Sequence, residues 1–142
     1  MTQVEALMEI ARRNGGTITP RQVVEEARNP ASVLHGAFTW DDKEAADKWR
    51  IREAQHLIRE CRVTFEQDGK KQEALAFVGI STDRVNSSAD NPYRLAKDVA
   101  KDVDLLAVAE RDAMAQLNYV KGRYEHLRRL KPVWDAIAQT AG

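Results

Sequence analysis

Cysteine is almost absent from this chain, with Cys61 alone among 142 residues. One thiol closes no intrachain disulfide and builds no cysteine-rich metal cluster, and it suits a reducing compartment. Net charge is missing as well. The 22 Lys and Arg balance 22 Asp and Glu, so any attraction to nucleic acid must come from a local patch. No apolar run approaches the ~20 residues that a membrane-spanning helix needs. The N-terminal MTQVEALMEIARRNGG lacks the basic start and apolar core of a signal peptide. The expectation is a cytoplasmic protein with no membrane partner. Motifs of chemistry are missing too: there is no GxxxxGK(S/T) phosphate loop, no GxSxG elbow and no HExxH or CxxC spacing. His35, His56 and His126 fall in three separate elements. No catalytic residue, metal ligand or cofactor is expected, and Cys61 reads as a buried, inert thiol.

What is present is helical periodicity. Apolar residues make up 43% of the chain and charged residues 31%, a globular balance. Val4, Leu7, Met8 and Ala11 predict a helix over about 3–13, ended by Asn14-Gly15-Gly16. Thr19, Pro20 and Gln22 form a complete start signal, a capping box with proline at the first helical position. Ile18 and Val23 occupy the places of a hydrophobic staple. This second helix should run to about Arg28, before Asn29-Pro30. After an unusually apolar loop, Asp41 is expected to cap a third helix over about 42–60, its inner side formed by Trp49, Ala54, Leu57, Ile58 and Cys61. The Asp41, Asp42 and Glu44 cluster reads as helix capping rather than as a cation site.

The period then changes. Val63 and Phe65 alternate with polar residues, as on a half-buried strand, and Gln67-Asp68-Gly69 is a turn, giving a hairpin over about 62–79. Two registers compete. A three-residue loop pairs Phe65 with Lys71 and Val63 with Glu73, and is preferred. A two-residue Asp-Gly loop matches Ala74, Ala76 and Val78 instead. Residues 80–91 read as a linker. Asn91-Pro92 should open further helices, and Leu106, Ala113, Val120, Leu127 and Trp134 recur every seven residues, with Leu117 and Tyr124 widening the stripe. Pro132 should kink or split the last helix.

The predicted fold class is mainly α with a small β-hairpin. A winged helix-turn-helix-like domain over 1–79 and a linker over 80–91 precede a helical oligomerisation region over 92–142. The apolar stripe suggests a homodimer, with folding back onto the first half as the competing solution. On the third helix, Lys48, Arg52, Gln55, Arg59 and Arg62 form one polar, basic stripe. In a winged helix this face enters the major groove of double-stranded DNA, and Lys70 and Lys71 lie where a wing touches phosphates. The opposing reading is a solvated or protein-binding face, since the entry end of the helix is acidic and Glu44 and Lys48 are i,i+4 partners.

The pattern TPRQVV at 19–24, LHGAFTWDD at 34–42 and the Arg-rich helix after it, with RYEHLRRLKPVWDAI at 123–137, resembles a family of short uncharacterised tailed-phage and prophage proteins. The resemblance implies a phage-borne setting and assigns no site. By their chemistry alone, His35, Trp40 and Asp41 would pin the loop before the third helix.

Overall fold

The computed structural model describes residues 1–141, with every side chain among them except that of Ala45. Gly142, the last residue of the expected helical region, lies outside the described residues. The chain forms α1 (Gln3–Arg13), β1 (Thr17–Ile18), α2 (Pro20–Ala27), α3 (Glu44–Glu60), β2 (Arg62–Gln67), β3 (Lys70–Leu75), β4 (Phe77–Val78), β5 (Tyr93–Leu95), α4 (Ala96–Lys101), α5 (Val103–Tyr124) and α6 (Lys131–Ala141). The molecule is mainly helical, with a three-stranded antiparallel sheet ordered β1-β5-β4 and a separate β2-β3 hairpin. No described helix is long and apolar enough to cross a membrane.

Local chemistry explains the first elements. Thr19 and Gln22 exchange capping-box bonds, the Gln22 N–H donating to Thr19 Oγ1 at 3.2 Å and the Thr19 N–H to Gln22 Oε1 at 2.9 Å. Past α1 the backbone turns left-handed at Gly15 and Gly16, and the Gly16 N–H returns to the Ala11 carbonyl at 2.8 Å. The core gathers Leu7, Ile10 and Ala11 of α1, Val23, Val24 and Ala27 of α2, and Ala54 and Ile58 of α3 around Ile18, Leu34 and Phe77. Among these, Ile18 and Val23 hold the staple positions and are fully buried.

Several expectations need correction. The third helix starts at Glu44, its N-cap Lys43 makes no side-chain cap bond, and Asp41 lies outside the helix. The carbonyl of Asp41 accepts instead from Arg50 Nη2. Trp49 is 56% exposed, and Arg50 takes the inner position at 2%. The hairpin adopts the two-residue register: Gln67 pairs Lys70, Phe65 pairs Gln72 and Val63 pairs Ala74. Asp68 and Gly69 both have positive φ, the type I′ turn whose twist matches that of the flanking strands. A three-residue loop would have made only Gly69 left-handed.

Residues 80–91, expected as a linker, follow the body closely. Ile80 and Ala89 are buried, Asp83 holds Arg94 through bonds of 2.6 and 3.0 Å, and Asp90 meets Arg21 at 2.7 Å. After Pro92 the chain forms β5 rather than a helix, pairing Phe77 with Leu95 and Ile18 with Tyr93. Backbone pairing therefore joins residues 93–95 to strands on both sides of α2 and α3. The late helices split where proline predicts. α5 ends at Tyr124, and α6 begins at Lys131 with Pro132 in its first turn, where a missing N–H costs nothing.

Candidate nucleic-acid interface

α3 has two faces, and its residue spacing assigns them. Positions 50, 54, 58 and 61 point inward. Positions 48, 52, 55 and 59 lie on the other side and line an open groove of about 890 Å³ with His56, Arg21 and residues 87–89. The second wall is the turn at Ser88–Asp90, fixed by the Arg21–Asp90 bond and approached by Gln55, whose Nε2 donates to the Ser88 carbonyl at 3.4 Å. Lys48, Arg52, Gln55 and Arg59 are thus brought together as their spacing predicts. The other three candidates are not groove residues. Arg62 opens β2, 4.0 Å from Glu73, and Lys70 and Lys71 are exposed just after the hairpin turn.

The electrostatics of the groove are lopsided. Several arginines elsewhere in the first half and on β5 are matched: Arg12 to Glu9, Arg13 to Glu26, Arg28 to Glu25 and Asp47, Arg94 to Asp83. Among the described residues, Lys48, Arg52 and Arg59 take part in no ion pair. Asp47 lines the groove, but Arg28 Nη2 holds it at 3.1 Å. Glu53 turns to the preceding loop, accepting from the Thr39 N–H at 3.4 Å. Glu60 is exposed at the last position of α3. Sequence reasoning missed His56, although it stands four residues after Arg52 and three before Arg59, on the same helical stripe.

The loop before α3 is a packed unit. His35 stacks on Trp40 with ring centroids 4.8 Å apart, its Nδ1 bonds the Ala27 carbonyl at 2.7 Å, and Trp40 Nε1 donates to the His35 carbonyl at 2.8 Å. The Arg50 guanidinium also lies over the indole, 4.8 Å from the ring centroid. Arg50 Nε donates to the Thr39 carbonyl. Cys61 closes the inner face of α3 and is buried, and burial pushes its thiol up from the ordinary value, away from nucleophilic use.

The stripe read as an oligomerisation surface divides. Leu106, Ala113, Leu117, Val120, Tyr124 and Leu127 are all exposed. Trp134 is 7% exposed, because α6 packs on α5 and its indole Nε1 donates to the Leu127 carbonyl at 3.3 Å. Trp134 therefore serves the fold of the single chain. The chain matches no protein-family model, no curated protein and no solved structure in the three comparisons made.

Proposed function

We propose that this is a non-catalytic, DNA-binding or regulatory protein whose first half works as a winged-helix-like module, with the α3 groove as its DNA surface. The carrying observation is the clustering of cations without ion-pair partners, Lys48, Arg52 and Arg59, with Gln55 and His56 in one open groove whose lining carboxylate, Asp47, is held by Arg28. Unmatched positive charge along a helix face suits phosphate oxygens, and Arg and Gln suit base edges. Lys70 and Lys71 would add phosphate contacts from the hairpin. The setting we propose, a phage-borne accessory protein in the host cytoplasm, rests on the resemblance at Leu34–Asp42.

A second reading has its own support: the groove takes a segment of a partner protein and no DNA. Asp41, Asp42 and Glu44 are exposed at the entry end of α3, where phosphates would be repelled. The connection between α2 and α3 spans residues 28–43, far longer than the 3–4-residue turn of a typical helix-turn-helix. Mobility-shift titration with duplex DNA at two salt concentrations tests the proposal. Binding that weakens steeply with salt is expected, and Arg52→Ala and Arg59→Ala should each cost about 1–3 kcal/mol if they read bases, less if they touch only phosphate. Unchanged affinity in the double variant would remove the groove as the DNA site.

A further inference from the structure

α5 is a 22-residue helix with no buried residue of its own, about 33 Å long at 1.5 Å per residue. α4 and the 81–83 turn pack against it, and α6 packs beside it. Its apolar stripe stays open, with Leu117 44% and Val120 42% exposed. Exposed stripes of this length on soluble proteins are normally covered.

The sequence of the helix shows what covers it. Leu106 and Leu127 have the same midpoint as Ala113 and Val120, between Gln116 and Leu117. Charge reverses across that midpoint. Asp102, Asp104, Glu110 and Asp112 precede it against Lys101 and Arg111, and Lys121, Arg123, Arg128, Arg129 and Lys131 follow it against Glu125. Glu110 and Lys121 are eleven residues apart, close to three helical turns, and so share one flank of the stripe. Asp112 and Arg123 share the other flank. Among the described residues, neither Glu110 nor Lys121 has an ion-pair partner in its own chain. Two such helices laid antiparallel bring each flank against the same flank of the other copy. Acid then meets base on the Glu110 flank, the other flank being the one where Asp112 holds Ser81 of its own chain, and Ala113 lies opposite Val120. A parallel pair would set the Lys121–Lys131 cations against themselves.

We infer that the open face of α5 pairs antiparallel with α5 of a second copy, on a two-fold axis passing between Gln116 and Leu117. Glu110 faces Lys121 of the partner subunit, and the contact occurs twice by symmetry. The inner pairs lie wholly within the helix and set the register. The outer pair, Leu106 with Leu127, reaches past the helix end at Tyr124. The inference is independent of DNA binding, since no groove residue takes part.

Light scattering of the full chain at tens of micromolar reads the oligomeric state, and cross-linking reads the direction. A dimer mass is expected. A mixture of Ala113→Cys and Val120→Cys chains should form the mixed disulfide, while each alone stays uncross-linked, as should the parent chain with its buried Cys61. Glu110→Lys should weaken the dimer about tenfold, its two symmetric contacts each turning repulsive, and Lys121→Glu in the same chain should restore it. All these positions are on the helix surface, and circular dichroism confirms that the fold is kept. A monomer mass would overturn the inference. So would self-cross-linking of Ala113→Cys, the signature of parallel pairing, or failure of Lys121→Glu to rescue.

Discussion

Removing the Arg50 guanidinium is the perturbation that most directly probes how α3 is held. Arg50 is 2% exposed, and among the described residues it has no carboxylate partner. Its charge is met by the carbonyls of Thr39 and Asp41 and by the Trp40 face. Hydrogen bonds from a charged donor contribute about 1.5–3 kcal/mol each, and the cation–π contact about 1–2 kcal/mol. Burying the cation costs several kcal/mol in return, so the net contribution of the arrangement is small while the cost of breaking it is not. Arg50→Ala removes the donors, the ring contact and most of the side-chain volume. Thr39 and Asp41 are themselves exposed, so water reaches part of the orphaned acceptors and the loss should settle at about 3 kcal/mol rather than 5. Arg50→Met keeps the volume and sheds the buried charge, and should lose about 1–2 kcal/mol. Urea denaturation followed by far-ultraviolet circular dichroism gives both values. With Trp49 and Trp134 changed to Phe, Trp40 emission should shift to the red in the Ala variant as the loop loosens. A loss below about 1 kcal/mol for Arg50→Ala would show that the loop stands without the guanidinium and would refute the reasoning. DNA affinity of folded Arg50→Met should stay within about twofold of the parent, because Arg50 faces away from the groove.

Three further outcomes follow from named contacts. Gly16 has φ +91° and a Cβ there would stand 2.7 Å from Asp98 Oδ2, so Gly16→Ala should cost about 1–3 kcal/mol in thermal or chemical unfolding, mostly as backbone strain since the Asp98 side chain can turn aside; a neutral result would contradict this. Asp112 accepts from the Ser81 hydroxyl and N–H, which lowers its carboxyl below the ordinary value. Its stabilisation is therefore fully present above the usual carboxylate pKa of about 3.9, and is lost as pH falls from there through the lowered value. Asp112→Asn should flatten that acid limb in denaturation measured between about pH 2 and 5, and an unchanged limb would exclude the contact. The Asp83–Arg94 pair is two-pronged and partly buried, so a double-mutant cycle with Asp83→Asn and Arg94→Gln should return a coupling on the order of 1 kcal/mol, and zero would mean that this pair does not help to hold the segment 80–91.

Where local chemistry decides, the sequence is legible. The Thr19 capping box, the glycines after α1, the period change at Cys61 and the four groove residues of α3 all follow from spacing within one or two turns. β5 does not, because three residues carry no period and the strand exists only where β1 and β4 meet it from 75 and 16 positions earlier in the chain, counted from Ile18 to Tyr93 and from Val78 to Arg94. The hairpin register turned on one backbone angle, positive φ at Asp68, a conformation that Asp adopts at modest cost. Residues 80–91 look like a polar linker because their attachments are single side chains, Ile80, Asp83 and Ala89, rather than a stripe. Trp134 continues the heptad in sequence, but the break before α6 turns it onto its own α5.

The exchange of Trp49 for Arg50 has a plainer cause, and it bears on the site. Relative to Ala54 and Ile58, a helix at 100° per residue puts position 50 on the inner stripe and position 49 well off it. Hydrophobicity argues for tryptophan inside and arginine outside, and here the geometry prevails. The loop supplies carbonyls and an aromatic face that make an inward guanidinium tolerable. The inward arginine in turn anchors the long 28–43 connection, so that α3 is held on α2 and its outer face is left to Lys48, Arg52, Gln55 and Arg59. Trp49, displaced outward, stands exposed one residue from Lys48 on the rim of that basic face. An aromatic ring beside unmatched cations is the arrangement that stacks on nucleic-acid bases, each stack being about 1–3 kcal/mol. If the groove takes nucleic acid, single-stranded oligonucleotides should quench Trp49 emission in a chain whose other tryptophans are replaced by Phe, and Trp49→Ala should weaken their binding more than that of duplex DNA. Equal weakening of both, or no quenching at saturation, would assign Trp49 no contact with bases and leave the face to phosphate attraction alone.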